Sequence, residues 1–148
     1  MRKEFLTFGK PNIGEEEIAE VVDTLRSGWI GTGPKVGMFE DAFKKYIGAD
    51  FAIAVSSCTA ALHLAMLVSG VGEGDEVITS PMTFCATANA IVHTGAKPVF
   101  VDIDRNTMNL NPQLLEGAIT TQTKAILPVH WGGASPDINA IVKIAKKN

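Results

Sequence analysis

The 148 residues are 46% hydrophobic and 20% charged, which is enough apolar material for a real core in one soluble domain. A formal net charge of −3, with 13 Lys and Arg scattered outside Lys44-Lys45 and Lys146-Lys147, gives no basis for a nucleic-acid partner. Two cysteines, Cys58 and Cys85, make neither a disulfide framework nor a metal cluster, and no apolar run approaches the roughly 20 residues of a membrane helix.

Met1-Arg-Lys-Glu-Phe5 is too short and too quickly polar for a signal peptide, so the cytosol is the expected compartment. Ile18, Val21, Val22 and Leu25 then recur at helical spacing over 14–27, with Glu15, Glu16 and Glu17 in the first turn and Gly28 as the stop. A turn-rich connection, Trp29-Ile-Gly-Thr-Gly-Pro34, leads to a second amphipathic helix. That helix carries Val36, Phe39, Phe43 and Tyr46 on one stripe and ends at Gly48.

From residue 51 the pattern alternates. Phe51–Val55, Glu76–Ser80, Pro98–Ile103 and Lys124–Val129 read as β-rich apolar strands. Helical runs fall at about 59–69, 83–93, 112–119 and 136–147, the last with Ile138, Ile141, Val142 and Ala145 on its apolar side. This order predicts an α/β fold: a three-layer, parallel-type sheet with helices on both faces and right-handed crossovers. Ligands of such sheets sit at the carboxyl ends of strands. Lys146-Lys147-Asn148 suits a helix C-terminus, and the next strand of the rhythm is absent, so the chain reads as the front part of a larger protein.

The turn between Val55 and the helix opening at Thr59 holds Ser56, Ser57 and Cys58. A strand feeding through small polar residues into a helix N-terminus leaves N–H groups unpaired at the positive end of the dipole, an arrangement suited to phosphate. The same residues equally suit a plain helix cap. Other signatures fail. Gly31-Thr-Gly33-Pro-Lys-Val-Gly37 has Val36 where a dinucleotide fingerprint needs its third glycine, and it follows a helix. There is no Walker A sequence and no Gly-x-Ser-x-Gly elbow, and His63, His93 and His130 have no metal-ligand spacing. His63, on an apolar helix, reads as a core residue in preference to a catalyst.

Two further groups stand at strand ends. Phe84, in Ser80-Pro-Met-Thr-Phe84-Cys-Ala-Thr-Ala-Asn89, is either a flat ring against a planar ligand or ordinary core. Asp102, at the end of the strand Pro98–Ile103, either orients groups around a pocket or braces a turn.

Taken together, Ser57-Cys-Thr59-Ala-Ala-Leu-His-Leu-Ala, Gly72-x-Gly-Asp-Glu-Val-Ile-Thr, Met82-Thr-Phe84-x-Ala-Thr-Ala-Asn89, Gly95-Ala-x-Pro-Val-Phe-Val-Asp102-Ile-Asp and Pro128-Val-His130 resemble the DegT family. These are fold-type-I, pyridoxal-phosphate-dependent aminotransferases of nucleotide-linked keto sugars. Ser27-Gly-Trp29-Ile-Gly-Thr-Gly-Pro34-x-Val-x-x-Phe39-Glu40 is similar to the family as well, so the resemblance spans essentially the whole chain. It implies the front part of the fold-type-I large domain over 51–148, preceded by an N-terminal helical segment over 1–50. It further implies pyridoxal 5'-phosphate as cofactor, glutamate and a nucleotide sugar as substrates, and a homodimer.

By that resemblance Ser57, Cys58 and Thr59 form the phosphate cup, through backbone N–H groups and the Thr59 hydroxyl, with Cys58 standing where the family usually has glycine or alanine. Phe84 is the ring stacked on the pyridine. Trp29, Ile30 and Thr32 belong to the active-site mouth, which a second subunit completes. The aspartate that pairs with the pyridine nitrogen and the Schiff-base lysine are expected beyond Asn148, so no catalytic residue is assigned in this chain and no metal is implied. A dehydratase on the same fold and a non-catalytic truncated chain are the alternative readings.

Overall fold

The computed structural model describes residues 9–148. The segment Met1-Arg-Lys-Glu-Phe5 lies outside the described residues. By its contacts the chain divides into two units, one running through Ala54 and the other from Val55 to Asn148.

The first unit holds two helices, α1 (Glu15–Ser27) and α2 (Pro34–Ile47). The Glu17 carboxylate accepts from the Gly14 N–H at 2.6 Å, satisfying an N–H that precedes the first turn of α1. Both helices end in a left-handed glycine, Gly28 (φ 77°) and Gly48 (φ 70°), a backbone shape that glycine takes without steric penalty. Lys35 pairs with Glu20 and, at 2.9 Å, with Asp23, linking the start of α2 to α1.

The second unit is built on three parallel strands, β1 (Glu76–Thr79), β2 (Lys97–Phe100) and β3 (Thr123–Leu127), in the order β2-β1-β3. All four residues of the central strand are buried. Its alternating side chains feed two cores. Val77 packs with Met66 and Ile91 from α3 (Cys58–Val68) and α4 (Ala86–Val92). Ile78 packs with Leu115 and Ile141 from α5 (Pro112–Leu115) and α6 (Ile138–Lys147). One pair of helices therefore covers each face, the three-layer arrangement expected from the alternation of elements. Pro98, which has no N–H to donate, sits on the edge strand β2 opposite Val77.

One expected strand is missing. Phe51–Val55 forms no strand, because no described strand pairs with residues 51–55. The Ala54 N–H donates instead to the Glu40 carboxylate at 2.7 Å. Phe51 and Ile53 are left 85% and 82% exposed. Two helices are also shorter than their periodicity predicts. The first residues of the 83–93 run form an irregular hydrogen-bonded turn, and 112–119 is one α-turn followed by a 3-10 turn over Glu116–Ala118.

Candidate functional site

Strand direction decides where the helices of the second unit begin. The helix α3 leads down to the start of β1, and α4 leads from the end of β1 to the start of β2. Because β1 and β2 are parallel, both helices run against the strands and open at the carboxyl edge of the sheet. They pack on each other, with the rings of His63 and His93 edge to face at 5.7 Å. The Ser57–Thr59 turn and the Phe84 turn thus share the edge where ligands of parallel sheets bind.

At the start of α3, Ser57 is the N-cap. It has extended backbone (φ −162°, ψ 160°), and its Oγ accepts from the Ala60 N–H at 3.1 Å. The Ala61 N–H donates to the Ser57 carbonyl at 3.1 Å as the first intrahelical bond. The N–H groups of Cys58 and Thr59 lie ahead of that bond, at the positive end of an 11-residue helix. Ser57 and Cys58 are exposed and Thr59 is half-buried. The cap reading and the anion reading of this turn are compatible: the Ser57 hydroxyl caps while its two successors keep their donors.

Phe84 is 77% exposed, so it is not core in this chain. Its turn is stitched by Ser80, whose Oγ accepts from the Met82 N–H at 3.0 Å, and by a 2.8 Å hydrogen bond between the Thr83 and Thr87 hydroxyls. Asp102 is exposed and accepts from the neighbouring Ile103 N–H at 2.8 Å, which is the turn-bracing role. Trp29, Ile30 and Thr32 are all exposed and lie in the first unit. There an open cavity of about 480 Å³ is lined by Trp29, Gly33, Val36, Met38, Phe39 and Ala54 among others. A Cβ at Gly33 would stand 3.0 Å from that of Trp29, a tight contact that the tryptophan would have to relieve by a small shift. His63 is half-buried against His93, closer to the core reading than to a catalytic one.

Asn109 escaped the sequence reading. It is 2% exposed, its Oδ1 accepts from the Trp131 N–H at 2.9 Å and its Nδ2 donates to the Ala134 carbonyl at 3.1 Å. It fastens the loop after β2 to the loop after β3, both at the carboxyl edge. No local pattern marks it, because its partners are more than twenty residues away. The Thr83–Thr87 bond, by contrast, was detectable as two hydroxyls at i, i+4 across a helix start. Among the described residues no group of three or more His, Cys, Asp or Glu is placed to hold a metal, and no helix is long and apolar enough to cross a membrane.

Residues 11–148 match the model of the DegT/DnrJ/EryC1/StrS aminotransferase family. The chain belongs to that family. It is 56% identical over 147 residues to the spore coat polysaccharide biosynthesis protein SpsC of Bacillus subtilis, a match covering 99% of this chain and 38% of SpsC. Among solved structures it is similar to the putative sugar aminotransferase Spr1654 of Streptococcus pneumoniae in its PLP form. That likeness has a TM-score of 0.90 at 45% identity, over 96% of this chain and 36% of that one. It is also similar to DesV of S. venezuelae, with a TM-score of 0.83 at 39% identity, over 90% of this chain and 37% of that one. The chain therefore spans well under half the length of these relatives. Its sheet and helices are those of the fold-type-I aminotransferases. At the N-terminus of α3 the Ser57 hydroxyl is taken by the Ala60 N–H, and the Cys58 and Thr59 N–H groups precede the first intrahelical bond, the place to test for a phosphate monoester.

Proposed function

We propose that the protein transfers an amino group from glutamate to a nucleotide-linked keto-deoxysugar, with pyridoxal 5'-phosphate as cofactor, acting in the cytosol as a homodimer. The observation that carries this reading is the N-terminus of α3, where Ser57 caps the helix and leaves the Cys58 and Thr59 N–H groups for an anion. It stands on a chain 45% identical to a putative sugar aminotransferase with a PLP form.

In this proposal the Cys58 and Thr59 N–H groups and the Thr59 hydroxyl hold the cofactor phosphate, with the helix dipole favouring its charge. Cys58 takes part through its backbone, which is why a cysteine is tolerated there. The Phe84 ring would stack on the cofactor's pyridine ring and orient it. When bound, the cofactor acts as an electron sink and carries the amino group between donor and acceptor. Trp29, Ile30 and Thr32, in the N-terminal helical segment of 1–50, line the mouth through which the sugar enters. Residues 51–148 supply the first part of the cofactor domain. No proton transfer is assigned to the described residues, whose part is to bind and to orient.

The test uses the polypeptide as its gene encodes it, purified, supplied with pyridoxal phosphate, and incubated with glutamate and a panel of nucleotide-linked keto sugars. The expected product is the amino sugar, formed in step with 2-oxoglutarate and seen by mass spectrometry. A product that has lost water and gained no nitrogen would assign the dehydratase reaction instead.

A further inference from the structure

An exposed phenylalanine on a loop has every reason to fold down onto the nearest apolar surface. Phe84 does not: its ring is 77% exposed, while Ala86 and Ala90, which follow it in the chain, are buried. The turn that carries it is fixed by a run of bonds. Ser80, 1% exposed, accepts from the Met82 N–H, and the Pro81 carbonyl accepts from the Thr83 N–H at 3.1 Å. The Phe84 carbonyl accepts from the Thr87 N–H at 3.1 Å, and the Cys85 carbonyl from the Asn89 N–H at 2.9 Å. Cys85 occupies the N-cap of α4 but makes no side-chain cap. The side-chain tie across this helix start is therefore the 2.8 Å bond between the hydroxyls of Thr83 and Thr87. Thr87 is 7% exposed and rooted in α4 between the buried Ala86 and Ala90, so it is the fixed end of the pair.

We propose that Thr87 is a positioning residue for the cofactor ring: its hydroxyl holds Thr83, and with it the backbone of Phe84, in the conformation that keeps the Phe84 ring turned out to the ligand. This rests on the reading of Phe84 given above. Thr87→Val keeps the shape and removes the hydroxyl, whereas Thr87→Ser keeps the hydroxyl.

The experiment compares these variants, Thr83→Val, Phe84→Ala and the double variant Phe84→Ala with Thr87→Val, each in the polypeptide as its gene encodes it. Two readouts are taken: amide hydrogen exchange across 82–87 without cofactor, and the Kd for pyridoxal phosphate. Thr87→Val and Thr83→Val should both speed exchange at Thr83 and Thr87 and raise the Kd about three- to tenfold, the effect of one hydrogen bond. Thr87→Ser should restore both. In the Phe84→Ala background Thr87→Val should add nothing to the Kd, because the two act as one unit. A weakened Phe84→Ala beside an unchanged Thr87→Val overturns this inference alone. An unchanged Kd in Phe84→Ala overturns the stacking reading and this inference with it. Since Thr87→Ser retains the buried hydroxyl, a variant that binds weakly and is not rescued by serine counts against a role for the hydroxyl bond.

Discussion

Ser57 and Thr59 stand two residues apart and have separate tasks. The Ser57 hydroxyl is spent on the Ala60 N–H, so its loss should act first on the helix, by about 1 kcal/mol of stability. Thr59 has no such commitment among the described hydrogen bonds. Thr59→Ala should therefore weaken pyridoxal phosphate binding by about 1–3 kcal/mol, the range for a hydrogen bond to a charged group. Thermal stability without cofactor should hardly change. A cofactor titration giving the same affinity in both proteins would remove Thr59 from the site. At Phe84 the sequence left two readings open, a ring stacked on a ligand or ordinary core, and the ring is 77% exposed in this chain. Phe84→Tyr and Phe84→Trp should keep cofactor affinity while Phe84→Ala lowers it, because stacking needs a flat ring. If Ala lowers only the melting temperature, the ring belongs to packing.

Elements follow from local pattern where the pattern closes on itself, and fail where the partner is remote. The three strands β1–β3 were legible because each is apolar and each finds a neighbour within the chain. Phe51–Val55 carries the same composition, yet a strand exists only by pairing, and no described strand pairs with it. The Ser57 cap of α3 was legible for a related reason, since the serine and its helix are contiguous. Asn109 was not, because its role depends on Trp131 and Ala134 arriving from another loop. Asn109→Ala should cost about 1–3 kcal/mol in urea unfolding, since it strips the partners from two backbone groups at a buried position. Asn109→Asp keeps an acceptor for Trp131 but sets a buried carboxylate against the Ala134 carbonyl, so it should cost at least as much at neutral pH. Equal stability of Asn109→Ala and the parent would show the tie to be dispensable. At the opposite edge of the sheet, Glu76 is bonded to Lys97 at 2.8 Å and to Thr120 at 2.7 Å, which holds its carboxyl below the ordinary value of 4.5. The folded state then binds a proton less readily than the unfolded one. The stability this provides is complete above the ordinary value and is lost as pH falls through the lowered folded value. Glu76→Gln should flatten the acid limb of the melting temperature against pH. An unaltered limb would show that other carboxyls set it.

At the scale of the whole molecule the second unit is a complete sandwich seen through its middle strand and an incomplete one at its margins. Both cores are closed around β1, with Val77 and Ile78 fully buried, yet among the described residues β2 and β3 are the outer strands, each paired on one side only. Large apolar side chains remain outside: Phe51, Ile53 and Tyr46 are more than 80% exposed, and Ile30 is 76% exposed. Monomeric proteins seldom leave so much apolar surface in water, and an unpaired strand edge adds directional hydrogen bonding to the drive to bury it. The 148-residue chain should therefore self-associate. Light scattering over a range of concentrations is expected to show a mass above that of one chain at micromolar protein. Phe51→Lys with Ile53→Lys should lower the associated fraction while leaving the helical and sheet content of the second unit intact, since neither residue contributes to its two cores. The double variant separates two causes of association. If it still assembles as the parent does, the edges of β2 and β3 are the adhesive surface, and a lysine placed on the outward side of β3 becomes the discriminating substitution. A parent chain that stays monomeric at high concentration would mean that these apolar residues and strand edges are shielded within one chain, and the account of an open sheet would fall with it.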